Sequence, residues 1–161
     1  MDKLYNLIKT FRNAIDGAKA RREFNSSSCL FKFPNGCCDT TCDLLGEYLR
    51  EYGIHTFQIN GRHKYDFQWR HVWLNTSDGT VIDITGDQFA GKPGFSDYLP
   101  TVWVGDENEV HKIFCIDKKR EDNTVFVDPT TFDDFGGILN FRQKRLIDAY
   151  RIIKKYLREL N

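Results

Sequence analysis

Within Val81-Ile82-Asp83-Ile84 a carboxylate interrupts a run of β-branched apolar residues that otherwise suits a buried strand. A charged group taken out of water without a partner is too costly to keep, so the fold must bring Asp83 a complementary group. The nearest source is the β-rich run just upstream, Phe67 to Leu74, in which Trp69, His71 and Trp73 share one face by period two. Val81, Asp83 and Thr85 share one face of the second run, and the Asp78-Gly79 pair between the runs signals a hairpin. Register then decides the chemistry. A two-residue turn at Asp78-Gly79 would put His71 and Asp83 on opposite sides of the sheet. A five-residue connection, Asn75 to Gly79, sets them directly opposite each other, with Cβ atoms roughly 4.5–5.5 Å apart. The second register pairs both buried polar groups and is the one expected.

Upstream, Phe33-Pro34-Asn35-Gly36 reads as an extended turn, because proline disfavours helix in the residue before it and Asn-Gly is a turn pair. A helix should follow, with Cys38, Cys42, Leu45, Leu49 and Tyr52 on its buried face. A cysteine in the first turn sits where open backbone N–H groups and the positive end of the helix dipole favour a thiolate. The same N–H groups can hold an oxyanion. Cys37 lies on a weaker seam through Thr41 and Tyr48, as a first-turn residue partly exposed beside the site. The competing reading of either cysteine is a small buried apolar residue.

The chain of 161 residues suits one domain, 1–161, and its 23 Lys plus Arg equal its 23 Asp plus Glu. This balance provides no global field for nucleic acid or an anionic membrane, so neither is expected as a partner. No apolar run approaches the ~20 residues that span a bilayer. Residues 1–19 alternate charge and hydrophobe rather than forming a signal-peptide core, so a cytoplasmic location is expected. Five cysteines, at 29, 37, 38, 42 and 115, are an odd number without a disulfide framework's spacing, and free thiols are the default. Zinc on Cys29, Cys37, Cys38 and Cys42 is the competing idea, although an adjacent pair plus a third residue a helical turn on differs from the usual separated pairs.

Elsewhere, residues 3–20 form a packing helix, Gly53 caps the cysteine helix, and His55–Asn60 is a strand with Phe57 and Ile59 inward. His63 reads as a solvated loop residue. Thr101–Gly105 reads as a buried strand, and His111–Ile116 and Thr124–Val127 as two more, joined by a charged turn at 117–123. His111 and Cys115 read as core and edge residues. A linker at 128–137 leads to a final amphipathic helix over about 138–160, with Leu139, Leu146, Tyr150, Ile153, Leu157 and Leu160 on its stripe.

Gly36-Cys37-Cys38-Asp39 at a helix start, then His71-Val72-Trp73, then Val81-Ile82-Asp83-Ile84-Thr85, resembles the transglutaminase-like branch of the papain-like cysteine protease superfamily. The resemblance covers about residues 31–90. With the strands and the N- and C-terminal helices read from periodicity, the expected fold is α+β, a papain-like core in which the cysteine helix packs on an antiparallel sheet of about five strands. The resemblance implies Cys38, with Cys37 as runner-up, as nucleophile, His71 as general base and acid, and Asp83 as the orienting carboxylate. Asp87 is the alternative acid. Papain-like peptidases carry a glutamine upstream of the cysteine for the oxyanion hole. No Gln precedes Cys38 here, which leaves its backbone N–H and Asn35 as donors. The function implied is cysteine-dependent acyl transfer by a peptidase, amidase, deamidase or transglutaminase-type enzyme, without a cofactor, on a protein, peptide or small amide. The alternatives are a non-catalytic binding module and a zinc-stabilised adaptor.

Overall fold

A computed structural model describes residues 2–121 and 140–160. Helix α1 (Asp2–Ala20) is followed by α2 (Cys38–Glu51), β1 (Thr56–His63), β2 (Arg70–Thr76), β3 (Val81–Asp83), a 3-10 turn (Gly86–Phe89), β4 (Trp103–Gly105), α3 (Glu109–Ile113), β5 (Phe114–Glu121) and α4 (Phe141–Leu160). The strands form one antiparallel sheet in the order β4-β3-β2-β1-β5. The fold is α+β, with helices near both ends of the chain.

The two-residue period of the strands divides the interior into two apolar layers. Val72, Leu74, Ile82 and Ile84 pack against Ile8, Phe11 and Ile15 of α1, Leu45 and Leu49 of α2, and Ile153 and Leu157 of α4. Ile59, Trp73 and Val81 pack on the other side with Phe89, Leu99, Val110 and Phe114. Both faces being covered explains why β2 buries four residues in succession, His71 to Leu74. Residues Thr40 to Leu49 of α2 are likewise buried all round. Gly53 at the end of α2 has a φ of +74°, the left-handed cap that its sequence predicts.

β1 runs on through Gly61, which stands opposite His71 in the ladder. A Cβ at position 61 would lie 2.7 Å from Phe114 Cβ and 2.8 Å from the Trp73 ring. Glycine there lets the indole lie across the strand, beside the histidine.

Several expectations need correction. The hairpin has neither of the connections considered from sequence. Asn75 pairs with Val81 and Leu74 with Ile82, leaving a three-residue loop, Ser77–Gly79, that ends on Gly79 at φ +89°. Thr76 Oγ1 accepts from Thr80 N–H at 3.1 Å, and Asp78 Oδ1 accepts from the same N–H at 3.2 Å, so polar side chains of the loop set the turn. This register aligns Trp73 with Asp83 and puts His71 two residues further along the same face, diagonal to Asp83 rather than directly opposite. Strand β4 is an edge strand, Trp103–Gly105, half-buried rather than buried. His111 belongs to the short helix α3, and β5 begins only at Phe114 and runs through the expected charged turn to Glu121. Cys115 on β5 is exposed. His63 ends β1 against Tyr65, Trp69, Phe95 and Phe114, with Nδ1 accepting from Asp66 N–H at 3.0 Å. The expected strand at 124–127, the linker and Leu139 lie outside the described residues.

Candidate active site

His71 is the second residue of β2 and Asp83 the last of β3, so antiparallel pairing puts both at one end of the hairpin. His71 Nε2 lies 2.7 Å from Asp83 Oδ2, and both side chains are buried. A carboxylate only accepts, so the ring proton must be on Nε2, and Nδ1 is the nitrogen that gains or loses one. Nδ1 is buried and, among the described residues, has no hydrogen-bond partner. An orphaned polar atom in a protein interior requires a reason.

Asp83 is held on every side. Its Oδ1 accepts from Thr85 N–H at 2.8 Å and from Thr85 Oγ1–H at 3.2 Å, and its Oδ2 accepts a second imidazole, His111 Nε2, at 3.1 Å. Burial works against the charge, but His71 and His111 outweigh it and hold the carboxyl well below the usual carboxylate range. The same balance acts on His71. Burial lowers its pKa, whereas the Asp83 carboxylate and the Cys38 thiol raise it, to about 9 in all. Gly86 completes the seat, since a Cβ there would come within 2.9 Å of Asp83 Oδ2.

Cys38 opens α2 with a half-buried side chain packed against the helical layer. His71 projects into the opposite layer, where Trp73, Phe89, His111 and Phe114 surround its ring. The thiol packs with the helical layer and the imidazole with the other. They are still within electrostatic reach of each other, although Nδ1 receives no formed hydrogen bond. Cys37 is not partly exposed as expected. It is the buried N-cap of α2, its thiol donates to Asn35 O at 3.4 Å, and burial pushes its pKa up. Cys42, a turn further on, is fully buried and raised by desolvation.

His71, Asp83 and His111 also satisfy the spacing of a metal cluster, with one ligand atom from each lying within 4.8 Å of the others. The geometry does not suit an ion. Two ligands at ~2.0–2.1 Å from tetrahedral zinc lie about 3.3 Å apart, whereas His71 and Asp83 are at 2.7 Å, the distance of a charge-assisted hydrogen bond. None of the early cysteines belongs to this group.

Two further residues frame the site without having drawn attention in the sequence. Arg12 of α1 is 5% exposed and donates to Ile84 O at 2.7 Å, to Thr101 O at 3.0 Å and to both oxygens of Asp87 at 3.1 and 2.9 Å. It ties α1 to the segment following Asp83, and it occupies Asp87, which thus pairs with the guanidinium rather than orienting His71. Gln88 Oε1 accepts from Gly36 N–H at 3.3 Å, and its Nε2 donates to Thr85 O at 2.9 Å. The turn before Cys38 is thereby linked to the residue that holds Asp83. The signal for His111 was present as Asn108-Glu109-Val110-His111, a capping box with histidine in the position usually held by Glu or Gln.

Compared with known protein families, curated proteins and solved structures, the chain matches none. Among the described residues no helix is long and apolar enough to cross a membrane.

Proposed function

We propose that the protein is a cysteine-dependent acyl-transfer enzyme with a papain-like, transglutaminase-type arrangement, in which Cys38 is the nucleophile, His71 the base and acid, and Asp83 the orienting carboxylate. The observation that carries this reading is the buried, unpartnered Nδ1 of His71, whose Nε2 is committed to Asp83, within electrostatic reach of a thiol at a helix start. In the proposed reaction the Cys38 proton rests on His71 Nδ1 in a thiolate–imidazolium pair, and Sγ bonds to the carbonyl carbon of an amide or ester. The Cys38 backbone N–H receives the oxyanion. As the carbonyl re-forms, the bond to the leaving amine or alcohol breaks, and that group carries away the proton from Nδ1. Water or a second amine then attacks the thioester by the same route, giving hydrolysis or transfer and restoring the thiol. Asp83 stays ionised throughout, because four hydrogen bonds hold it as a carboxylate. Proteins, peptides and small amides are the proposed substrates.

Alkylation by iodoacetamide at pH 6, mapped cysteine by cysteine, tests the reading. An ordinary thiol, with a pKa of about 8.5, is almost wholly protonated there. Cys38 should react at least about tenfold faster than Cys115, whose exposure makes it the accessible reference. That excess should vanish in His71→Ala and survive in Cys37→Ala. A Cys38 rate no greater than that of Cys115 would overturn the assignment.

A further inference from the structure

We propose that His111 is a positioning residue of this site, a neutral imidazole locked in its Nε2–H tautomer that shares Asp83 Oδ2 with His71 and fixes how much of the carboxylate the proposed base receives. The function assigned to it rests on the reading above; the proton placement does not. The lock comes from the N-terminus of α3. Asn108 Oδ1 accepts from Val110 N–H at 2.9 Å and from His111 N–H at 3.4 Å, and His111 Nδ1 accepts from Asn108 N–H at 3.3 Å. A nitrogen that accepts a backbone N–H carries no proton of its own, so the proton of the neutral ring is on Nε2, 3.1 Å from Asp83 Oδ2. A purely local cap becomes a long-range hydrogen bond, and it reaches an oxygen already bonded to His71 at 2.7 Å.

Two donors on one oxygen compete. The neutral donor stabilises the Asp83 anion and weakens its hold on the His71 imidazolium, so His111 lowers the proton affinity that His71 would have with Asp83 to itself. The titratable groups facing this pair are Cys38 from α2, which acts on His71, and Cys42 from the same helix, which Asp83 influences. Neither competes for Oδ2. A packing role for His111 would require only its shape.

The test uses the full chain labelled with 15N, with imidazole nitrogen spectra followed through pH. In the unaltered protein at pH 8, His111 should show a bare Nδ1 and a protonated Nε2; the reverse pattern would overturn the proposal whatever the variants do. In His111→Phe, which keeps the ring and removes the donor, the His71 midpoint should rise by about 0.5 pH unit or more, about threefold in proton affinity. His111→Gln, whose amide can donate from a similar position, should bring it back to within about 0.2 unit of the starting value. Asn108→Ala, which loosens the cap but leaves the cluster intact, should shift the midpoint the same way by less, and it stands in if His111→Phe fails to fold. An unmoved His71 midpoint in the folded variant would leave His111 a packing residue. Failure of the catalytic reading would appear separately, as a slow Cys38 in the alkylation assay.

Discussion

Replacing Asp83 by asparagine keeps the volume of the side chain and removes its charge, and the cost can be worked from its four contacts. Four donors converge on the carboxylate: His71 Nε2 at 2.7 Å, His111 Nε2 at 3.1 Å, Thr85 N–H at 2.8 Å and Thr85 Oγ1 at 3.2 Å. An amide has one acceptor oxygen. Turned towards the imidazoles, that oxygen leaves the amide NH2 facing Thr85; the hydroxyl can rotate to accept, but the backbone N–H is stranded at a cost of about 1–3 kcal/mol. Turned the other way, the NH2 meets two imidazole N–H groups, and His111 cannot switch tautomer against Asn108. The first orientation costs less. It also loses the charge that holds His71 protonated. Raising that histidine from 6.5 to about 9 is worth about 3 kcal/mol while it lasts.

The sign of the pH dependence follows directly. A histidine whose folded pKa lies above its unfolded value contributes its full stability below about 6.5 and loses it as pH rises through about 9. The Asp83 contribution, held below the ordinary carboxylate range, is lost only in acid and is constant over this window. Asp83→Asn should therefore be destabilised by about 4–6 kcal/mol at pH 6 and by only about 1–3 kcal/mol at pH 10. Urea unfolding followed by circular dichroism at pH 6, 8 and 10 measures both gaps. Tyr48 and Tyr150, raised mainly by burial, alter alkaline stability equally in the two proteins and cancel in the difference. A gap below about 1 kcal/mol at pH 6, or one that widens towards pH 10, would refute the argument.

Gly86→Ala places a methyl group 2.9 Å from Asp83 Oδ2, about 0.5 Å inside ordinary contact, against an oxygen that two imidazoles hold in place. It should slow Cys38 alkylation at pH 6 by about tenfold while costing roughly 1–3 kcal/mol of stability, as read by rate mapping and urea titration. Arg12→Met should destabilise by about 3–5 kcal/mol in the same titration, because Asp87 loses its buried cation and Ile84 O and Thr101 O lose a donor. An Arg12→Met protein within about 1 kcal/mol of the parent would show that the guanidinium is dispensable to the frame.

What the sequence disclosed follows from how local each determinant is. The start of α2, its Gly53 cap and the shared face of His71 and Asp83 depend on periodicity and turn chemistry within a few residues, and all were legible. The register was missed because it depends on Thr76 and Asp78 folding their side chains into the Ser77–Gly79 loop, a polar detail that a count of apolar faces does not contain. Arg12 was hidden by its position on the apolar stripe of α1, where a cation reads as a solvated residue until carbonyls from Ile84 and Thr101 arrive. His111 was misread because a five-residue helix offers too little period to separate it from a strand, although its capping box was written in the four residues from Asn108. Cys37 and Cys38 are adjacent, and only the helix start shows that the first is sealed inside while the second keeps an open side.

The enclosure of His71 bears on proton traffic. Trp73, Phe89, His111 and Phe114 lie around the ring, and Asp83 closes its Nε2 end. At 0% exposure, the imidazole has no face of its own in contact with bulk water. Nδ1, the ring nitrogen that Asp83 does not hold, is buried as well, so a proton leaving the ring reaches water only through a neighbouring group such as the Cys38 thiol or by local opening of the site.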